Sequence, residues 1–69
     1  DDILIRAVLA KLFSDRQLRV EEGVIEYLAI RMQRSLDTAR HIVAAIDRQA
    51  LAAKRNITLP LVRKVLEER

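Results

Sequence analysis

The sequence predicts an all-α fold, a small four-helix bundle. Apolar residues recur at spacings of three and four in four separate segments, which is the pattern of amphipathic helices. The 69 residues include only one glycine and one proline, so few positions interrupt a helix. The predicted connections are about five residues long, as in compact bundles. Hydrophobic residues make up 51% of the chain, and Phe13 and Tyr27 are the only aromatic ones, so the predicted core is aliphatic.

The first helix is predicted to cover about 13 residues and to end near Ser14–Asp15, whose short polar side chains compete for the backbone. Asp1 and Asp2 supply a cap and negative charge, which stabilise a helix N-terminus. The residues at spacings of three and four are Leu4, Ala7, Val8, Lys11 and Leu12, and all but Lys11 form the predicted apolar face. A second apolar group lies beside this face and consists of Ile5, Leu9 and Phe13.

After a link at residues 15–20, a second helix is predicted to begin around Glu21–Glu22, with Gly23 in its first turn. Gly is tolerated there, although it is a weak helix former. Arg31 and Arg34 lie near the predicted C-terminus of this helix, where cations interact favourably with the helix dipole. The predicted apolar stripe consists of Val24, Ile25, Leu28, Ala29 and Met32.

The third helix has the strongest periodicity. Ser35 or Asp37 is predicted to cap it, and it should run to about Lys54–Arg55. Asn56 is then expected in the left-handed conformation that ends many helices. The stripe consists of Leu36, Ala39, Val43, Ile46, Ala50 and Ala53, widened by Ile42 and Ala45.

A short fourth helix should begin at Pro60, which follows Thr58 and Leu59, because proline suits the first helical position. Its apolar residues are Leu61, Val62, Val65 and Leu66, followed by a polar end, Glu67-Glu68-Arg69. Residues 57–59 alternate between apolar and polar, as do residues 18–20. The two stretches are therefore able to pair as a minimal two-stranded bridge.

Composition excludes several kinds of site. Without cysteine and with His41 as the only histidine, the chain cannot form a disulfide or a thiolate metal site, and one histidine does not build a zinc site. Gly23 is the only glycine, so there is no Gly-rich phosphate loop. Ser14 and Ser35 are placed where helix caps belong. No catalytic residue and no metal ligand is therefore predicted.

The charge pattern predicts a solvated surface. The formal net charge is +3, but the arginines alternate with acids, which does not favour direct DNA binding. No apolar run approaches the ~20 residues of a membrane span, and the acidic N-terminus is unlike a secretory signal. The absence of cysteine fits a cytoplasmic protein. Because no initiator methionine is present, we interpret residues 1–69 as one domain cut from a larger protein.

Residues 34–48 (RSLDTARHIVAAIDR) resemble the lid helix of DnaA/Hda-type AAA+ ATPases, which regulate replication initiation. The shared pattern is a polar cap, an arginine in the first turns and an apolar run with an Asp-Arg end. Residues 13–20 (FSDRQLRV) resemble the family's first link, and residues 54–62 (KRNITLPLV) its basic turn and closing helix. The resemblance covers essentially the whole chain. It implies the lid domain of a larger ATP- or ADP-binding protein.

Within this family the Hda-like branch resembles the chain more than DnaA does. DnaA continues beyond its lid into a helix-turn-helix domain, whereas this sequence ends just after the fourth helix, at Arg69. The resemblance implies a role in the regulatory inactivation of DnaA. The implied partners are the AAA+ base domain of the same chain, DnaA and the replication sliding clamp. ATP or ADP would bind to the parent protein, with no cofactor for the isolated fragment, which is not expected to hydrolyse ATP.

In this resemblance Arg40 matches the sensor-2 arginine, which contacts the nucleotide. A guanidinium can form two hydrogen bonds to phosphate oxygens and keeps its charge at any working pH. Two alternatives remain open. Arg40 could be a surface residue paired with Asp37 or Asp47, and an alignment anchored on Ser35 would put Asp37 in the arginine's place. His41 follows Arg40 where DnaA lids carry an acid, and it is expected on the helix surface.

Two other functional interpretations also remain open. The chain could be a small helical protein- or DNA-binding module without nucleotide chemistry. Such a module would bind DNA with an affinity that falls steeply with salt, because binding releases counterions. The lid of another AAA+ protein, such as a clamp loader, is the second alternative.

Overall fold

The computed structural model describes residues 2–33 and 35–67, apart from the side chain of Asp2. This part of the chain folds into four helices: α1 (Asp2–Asp15), α2 (Val24–Arg31), α3 (Leu36–Ala53) and α4 (Leu59–Glu67). Helix α1 packs against α2 and α3, and α4 packs against α3 and α2. The predicted all-α four-helix fold is confirmed. The predicted roles of Asp1, Arg34 and Glu68-Arg69 fall outside the described residues.

The two links meet at one end of the bundle. Val20 and Ile57 form a parallel bridge, and the Glu21 N–H donates to the Ile57 carbonyl at 2.9 Å. The predicted pairing of residues 18–20 with 57–59 is thus present, limited in the described structure to this isolated bridge. No helix in the described residues is both long and apolar enough to cross a membrane.

The start of α4 is capped from elsewhere in the chain. The Leu59 N–H donates to Glu21 Oε2 at 2.9 Å, and the Leu61 N–H donates to Thr58 Oγ1 at 3.4 Å. These bonds satisfy two of the amides that a helix N-terminus leaves without a partner. Pro60, which has no N–H, is the second helical residue rather than the predicted first. The apolar face of α4 is confirmed, with Leu61, Val62 and Val65 buried.

The predicted apolar face of α1 is wrong in part. Leu4 and Ala7 are exposed, whereas Ile5, Leu9 and Phe13 are buried. Those three residues are spaced by four, so they form one face, with Val8 and Leu12 half-buried along its edge. Because α1 carries apolar residues on nearly every side, its periodicity fits more than one face. Packing against both α2 and α3 selects the buried one.

Both long helices end in a left-handed residue that is not glycine. Gln17 (φ 58°) follows α1, and the Leu18 N–H donates back to the Phe13 carbonyl at 2.9 Å. Lys54 (φ 54°) follows α3, and the Arg55 N–H donates to the Ala50 carbonyl at 3.1 Å. Both ends have the bonding of a Schellman motif. The left-handed residue is therefore Lys54, and the prediction that it would be Asn56 is wrong.

Helix α2 begins later than predicted because Gly23 has φ 92°, which a helical residue cannot adopt. The Gly23 carbonyl accepts the first helical bond, from the Tyr27 N–H at 2.9 Å. The helix ends at Arg31, and the following Met32 is extended but buried. The predicted α2 stripe is otherwise confirmed, with Val24, Leu28 and Ala29 buried and Ile25 half-buried.

The centre of the core comes from α3. Its buried residues are Ala39, Ile42, Val43, Ile46 and Ala50. The two ends of the predicted stripe are wrong, since Leu36 is 55% exposed and Ala53 is also exposed. Leu36 is the first residue of α3 and Ala53 is the last. The exposed Leu36 is the starting point of the candidate site.

Candidate functional site

The N-terminus of α3 is defined by Ser35. This residue has extended backbone (φ −135°, ψ 136°), and its Oγ accepts a hydrogen bond from the Thr38 N–H at 3.4 Å. Of the two predicted caps, Ser35 is therefore the one the structure uses. Asp37 lies in the first turn, where a carboxylate interacts favourably with the helix dipole. The cap fixes the start of the helix and hence the position of Arg40 in the second turn.

The Arg40 guanidinium is largely available for a ligand. Its described ion-pair partner is Asp37, whose Oδ1 lies 4.0 Å from Nη1, and the two side chains are 67% and 83% exposed. Exposed pairs of this kind contribute little, because solvent screens them. Asp47, the other carboxylate considered as a partner of Arg40, instead accepts a hydrogen bond from Arg16 Nη1 at 2.9 Å. Among the described residues, Arg40 is thus held only by the distant carboxylate of Asp37.

Arg40 lines a groove of about 280 Å³ between α1 and α3. Leu36 and Leu12 contribute apolar surface to it, and Lys11 contributes a second cation. Lys11 Nζ lies 3.7 Å from Asp15 Oδ1, in another exposed pair. Ligand pockets typically enclose about 300–1,000 Å³, so this groove is suited to part of a ligand rather than to a whole nucleotide.

The apolar surface of the groove extends along α1. Val8 and Leu12, one helical turn apart, both line the groove. Leu4 lies one turn before Val8 and is exposed. Together with Leu36 they form a surface that we call the α1–α3 face: Leu4, Val8, Leu12 and Leu36. Exposed apolar surface that is grouped in this way is typical of an interaction site.

Two other polar side chains of α3 lie outside this groove. His41 and Arg48 are both exposed on α3, and neither lines the groove. Within residues 2–33 and 35–67 there is no cluster of three or more histidine or acidic side chains suited to a metal ion. Arg48 takes part in none of the ion pairs found between described residues.

Sequence reasoning missed the ion pair between Arg16 and Asp47. The two residues are 31 positions apart, and no local spacing indicates their contact. The pair connects the end of α1 to the middle of α3, next to the groove residue Asp15. It helps to set how α1 and α3, the two walls of the groove, lie against each other.

The family model described as "Hda, lid domain" matches residues 2–66. The matched region includes Arg40 and the whole α1–α3 face. No curated protein and no solved structure matches the chain significantly.

Proposed function

The chain belongs to the Hda lid domain family, and from this membership we propose that it is the lid of an Hda-like regulator of bacterial DNA replication initiation. The observation that carries the proposal is the family match over residues 2–66, which takes in nearly all of the four helices. The parent AAA+ protein would bind ATP or ADP. Its partners would be DnaA and the replication sliding clamp, and its role the regulatory inactivation of DnaA.

Arg40 would contact the nucleotide in this proposal. A nucleotide held by the base domain presents phosphate oxygens to the lid, and a guanidinium can form two hydrogen bonds to them. The exposed position of Arg40 and its weak pairing with Asp37 support the role, since little existing interaction would be lost. A nucleotide that engages Arg40 only when its γ-phosphate is present would favour one lid position over the other.

The α1–α3 face would dock on the base domain of the same chain. Leu4 and Leu36 are exposed in the lid alone, and burying them against a second apolar surface is favourable. Arg40 lies beside this face, so a docked lid would bring its guanidinium to the boundary between the two domains. Docking would therefore both position the lid and place Arg40 where it can contact the nucleotide.

The test is an Arg40→Ala substitution in the intact parent protein. Loss of charge-assisted hydrogen bonds to phosphate should reduce the preference for one nucleotide over the other by about tenfold. Affinities for ATP and ADP would be measured by calorimetry. Arg48→Ala is the matched control, because Arg48 is an exposed arginine on the same helix outside the groove. If the ratio of the ATP affinity to the ADP affinity were the same in Arg40→Ala and in the native protein, a role of Arg40 in nucleotide discrimination would be ruled out.

The sequence on both sides of this segment provides a separate test of the family-level role. A phosphate-binding loop of the form G-x-x-x-x-G-K-[ST] upstream would support an AAA+ parent. Without it, the alternative of a small helical binding module would account for the chain better. A helix-turn-helix domain downstream would point to DnaA rather than to an Hda-like protein.

A further inference from the structure

We propose that a second groove, at the end of α3 remote from Arg40, docks an acidic peptide segment that carries an apolar side chain. The rise of 1.5 Å per residue places Lys54, at this groove, about 21 Å along the helix from Arg40. The groove has a volume of about 480 Å³ and lies where the two links meet. It is separate from the nucleotide proposal and does not depend on it.

The groove has an apolar floor and a cationic rim. Leu18, Leu51 and Ile57 contribute apolar surface, and Leu51 is 69% exposed. Arg19, Lys54 and Arg55 supply the cations, and all three are exposed. A large apolar side chain left in water between cations is a feature that a complementary partner would cover.

The positive charge of the rim is not neutralised within the described part of the chain. None of the ion pairs found there involves Arg19, Lys54 or Arg55. The one carboxylate that lines the groove, Asp47, is paired with Arg16 at 2.9 Å. Three cations therefore line the groove without an ion-pair partner among the described residues, and such a concave surface attracts anionic groups.

The apolar floor favours a peptide over nucleic acid. Surfaces that bind single strands usually stack bases on aromatic side chains, and duplex binders spread cations along the phosphate backbone. Phe13 and Tyr27, the aromatic residues of the chain, do not line this groove. A segment with carboxylates on both sides of a leucine or phenylalanine would match the floor and the rim together.

The groove is also held in shape before any partner binds. Its walls are the left-handed turns at Gln17 and Lys54, each fixed by backbone hydrogen bonds to the preceding helix. The Val20–Ile57 bridge joins the two links beside it. A site that is already ordered loses less conformational entropy on binding.

The experiment is an amide NMR titration of the 69-residue chain with a synthetic peptide, Glu-Asp-Leu-Phe-Asp-Glu. We expect shifts in the amides of residues 17–19 and 50–57. One comparison peptide replaces Leu-Phe by Ser-Ser and another replaces the acids by lysine; both should bind several-fold more weakly. Equal binding of either comparison peptide, or no shift at millimolar peptide, would overturn the proposal. So would shifts of the same amides by a short DNA duplex but not by the peptide.

A matched pair of variants separates the groove from general charge. The double substitution Lys54→Gln and Arg55→Gln should lower the affinity for the peptide about fivefold, because two exposed ion pairs with the peptide are lost. Arg63→Gln with Lys64→Gln removes the same charge from exposed positions on α4 and should leave the affinity nearly unchanged. Equal losses in both would reduce the effect to net charge and contradict a specific groove. Leu51→Ser, at an exposed position, tests the floor without emptying the core and should also weaken binding.

Discussion

Arg16 Nη1 lies 2.9 Å from Asp47 Oδ2 and connects the end of α1 to the middle of α3. The Asp47 side chain is only 19% exposed, whereas that of Arg16 is 44% exposed. A pair that is partly shielded from solvent is worth more than a fully exposed one. Asp47 also lines the groove at the end of α3, and Arg16 directly follows Asp15, which lines the groove beside Arg40.

Replacing Asp47 by alanine should lower the free energy of unfolding by about 1 kcal/mol, because it leaves Arg16 without its partner. Urea unfolding followed by circular dichroism would measure the change. Asp37→Ala removes a carboxylate whose pair with Arg40 is long and exposed, and it should cost clearly less. If both variants lost the same stability, the Arg16 contact would not be the cause.

Val43→Asp should unfold the isolated chain. Val43 is fully buried at the centre of α3, and an unpaired carboxylate there has no compensating charge. A domain with a free energy of unfolding of about 5 kcal/mol cannot absorb such a loss. His41→Asp introduces the same group at an exposed position of the same helix, so its thermal melting curve should stay cooperative. A native-like melt of Val43→Asp would show that the core is assigned wrongly.

Gly23→Ala should destabilise the fold by about 1 kcal/mol, because φ 92° is strained for a residue with a Cβ atom. A Cβ at this position would lie 3.9 Å from Leu59 Cδ1, an ordinary contact, so steric crowding does not add to the cost. Denaturant midpoints would measure it. Gly23→Asn should lose less than Gly23→Ala, since asparagine tolerates positive φ better. The reverse order would argue against backbone strain.

Ser35→Ala should cost roughly 0.5–1 kcal/mol of stability through loss of the α3 cap. The hydrogen bond to the Thr38 amide is long, at 3.4 Å, which favours the lower end of that range. Ser35→Asp should retain the cap and most of the stability. Thermal melts of both variants check this, and equal losses in the two would exclude capping as the role of Ser35.

Leu36→Ser should leave the stability of the isolated chain within about 0.5 kcal/mol, because the side chain is largely exposed. In the intact parent it should loosen the docking of the α1–α3 face and make the lid more sensitive to limited proteolysis. Ile30→Ser changes a comparably exposed apolar residue on α2 and serves as the control. The same sensitivity in both variants would show that Leu36 does not mark the docking face.

Periodicity predicted much of this fold correctly. The four helices, the buried stripe of α2 and the middle of the α3 stripe follow from spacings that any isolated segment displays. Ser35 as a cap is local as well, since its partner amide is three residues away. Arg40 was selected by resemblance to a family. That its ion pair within residues 2–33 and 35–67 is the long contact with Asp37 is a property of the structure.

Other features were decided by the tertiary structure alone. The buried face of α1 depends on which helices cover it, and α1 is apolar on too many sides for its own pattern to choose. The cap on Leu59 comes from Glu21, 38 positions away, and the partner of Asp47 comes from 31 positions away. The sequence determined where helices form, because that depends on neighbours within a few residues. Packing determined which side chains stay exposed at Leu36 and Leu51, because exposure depends on the segments that reach them.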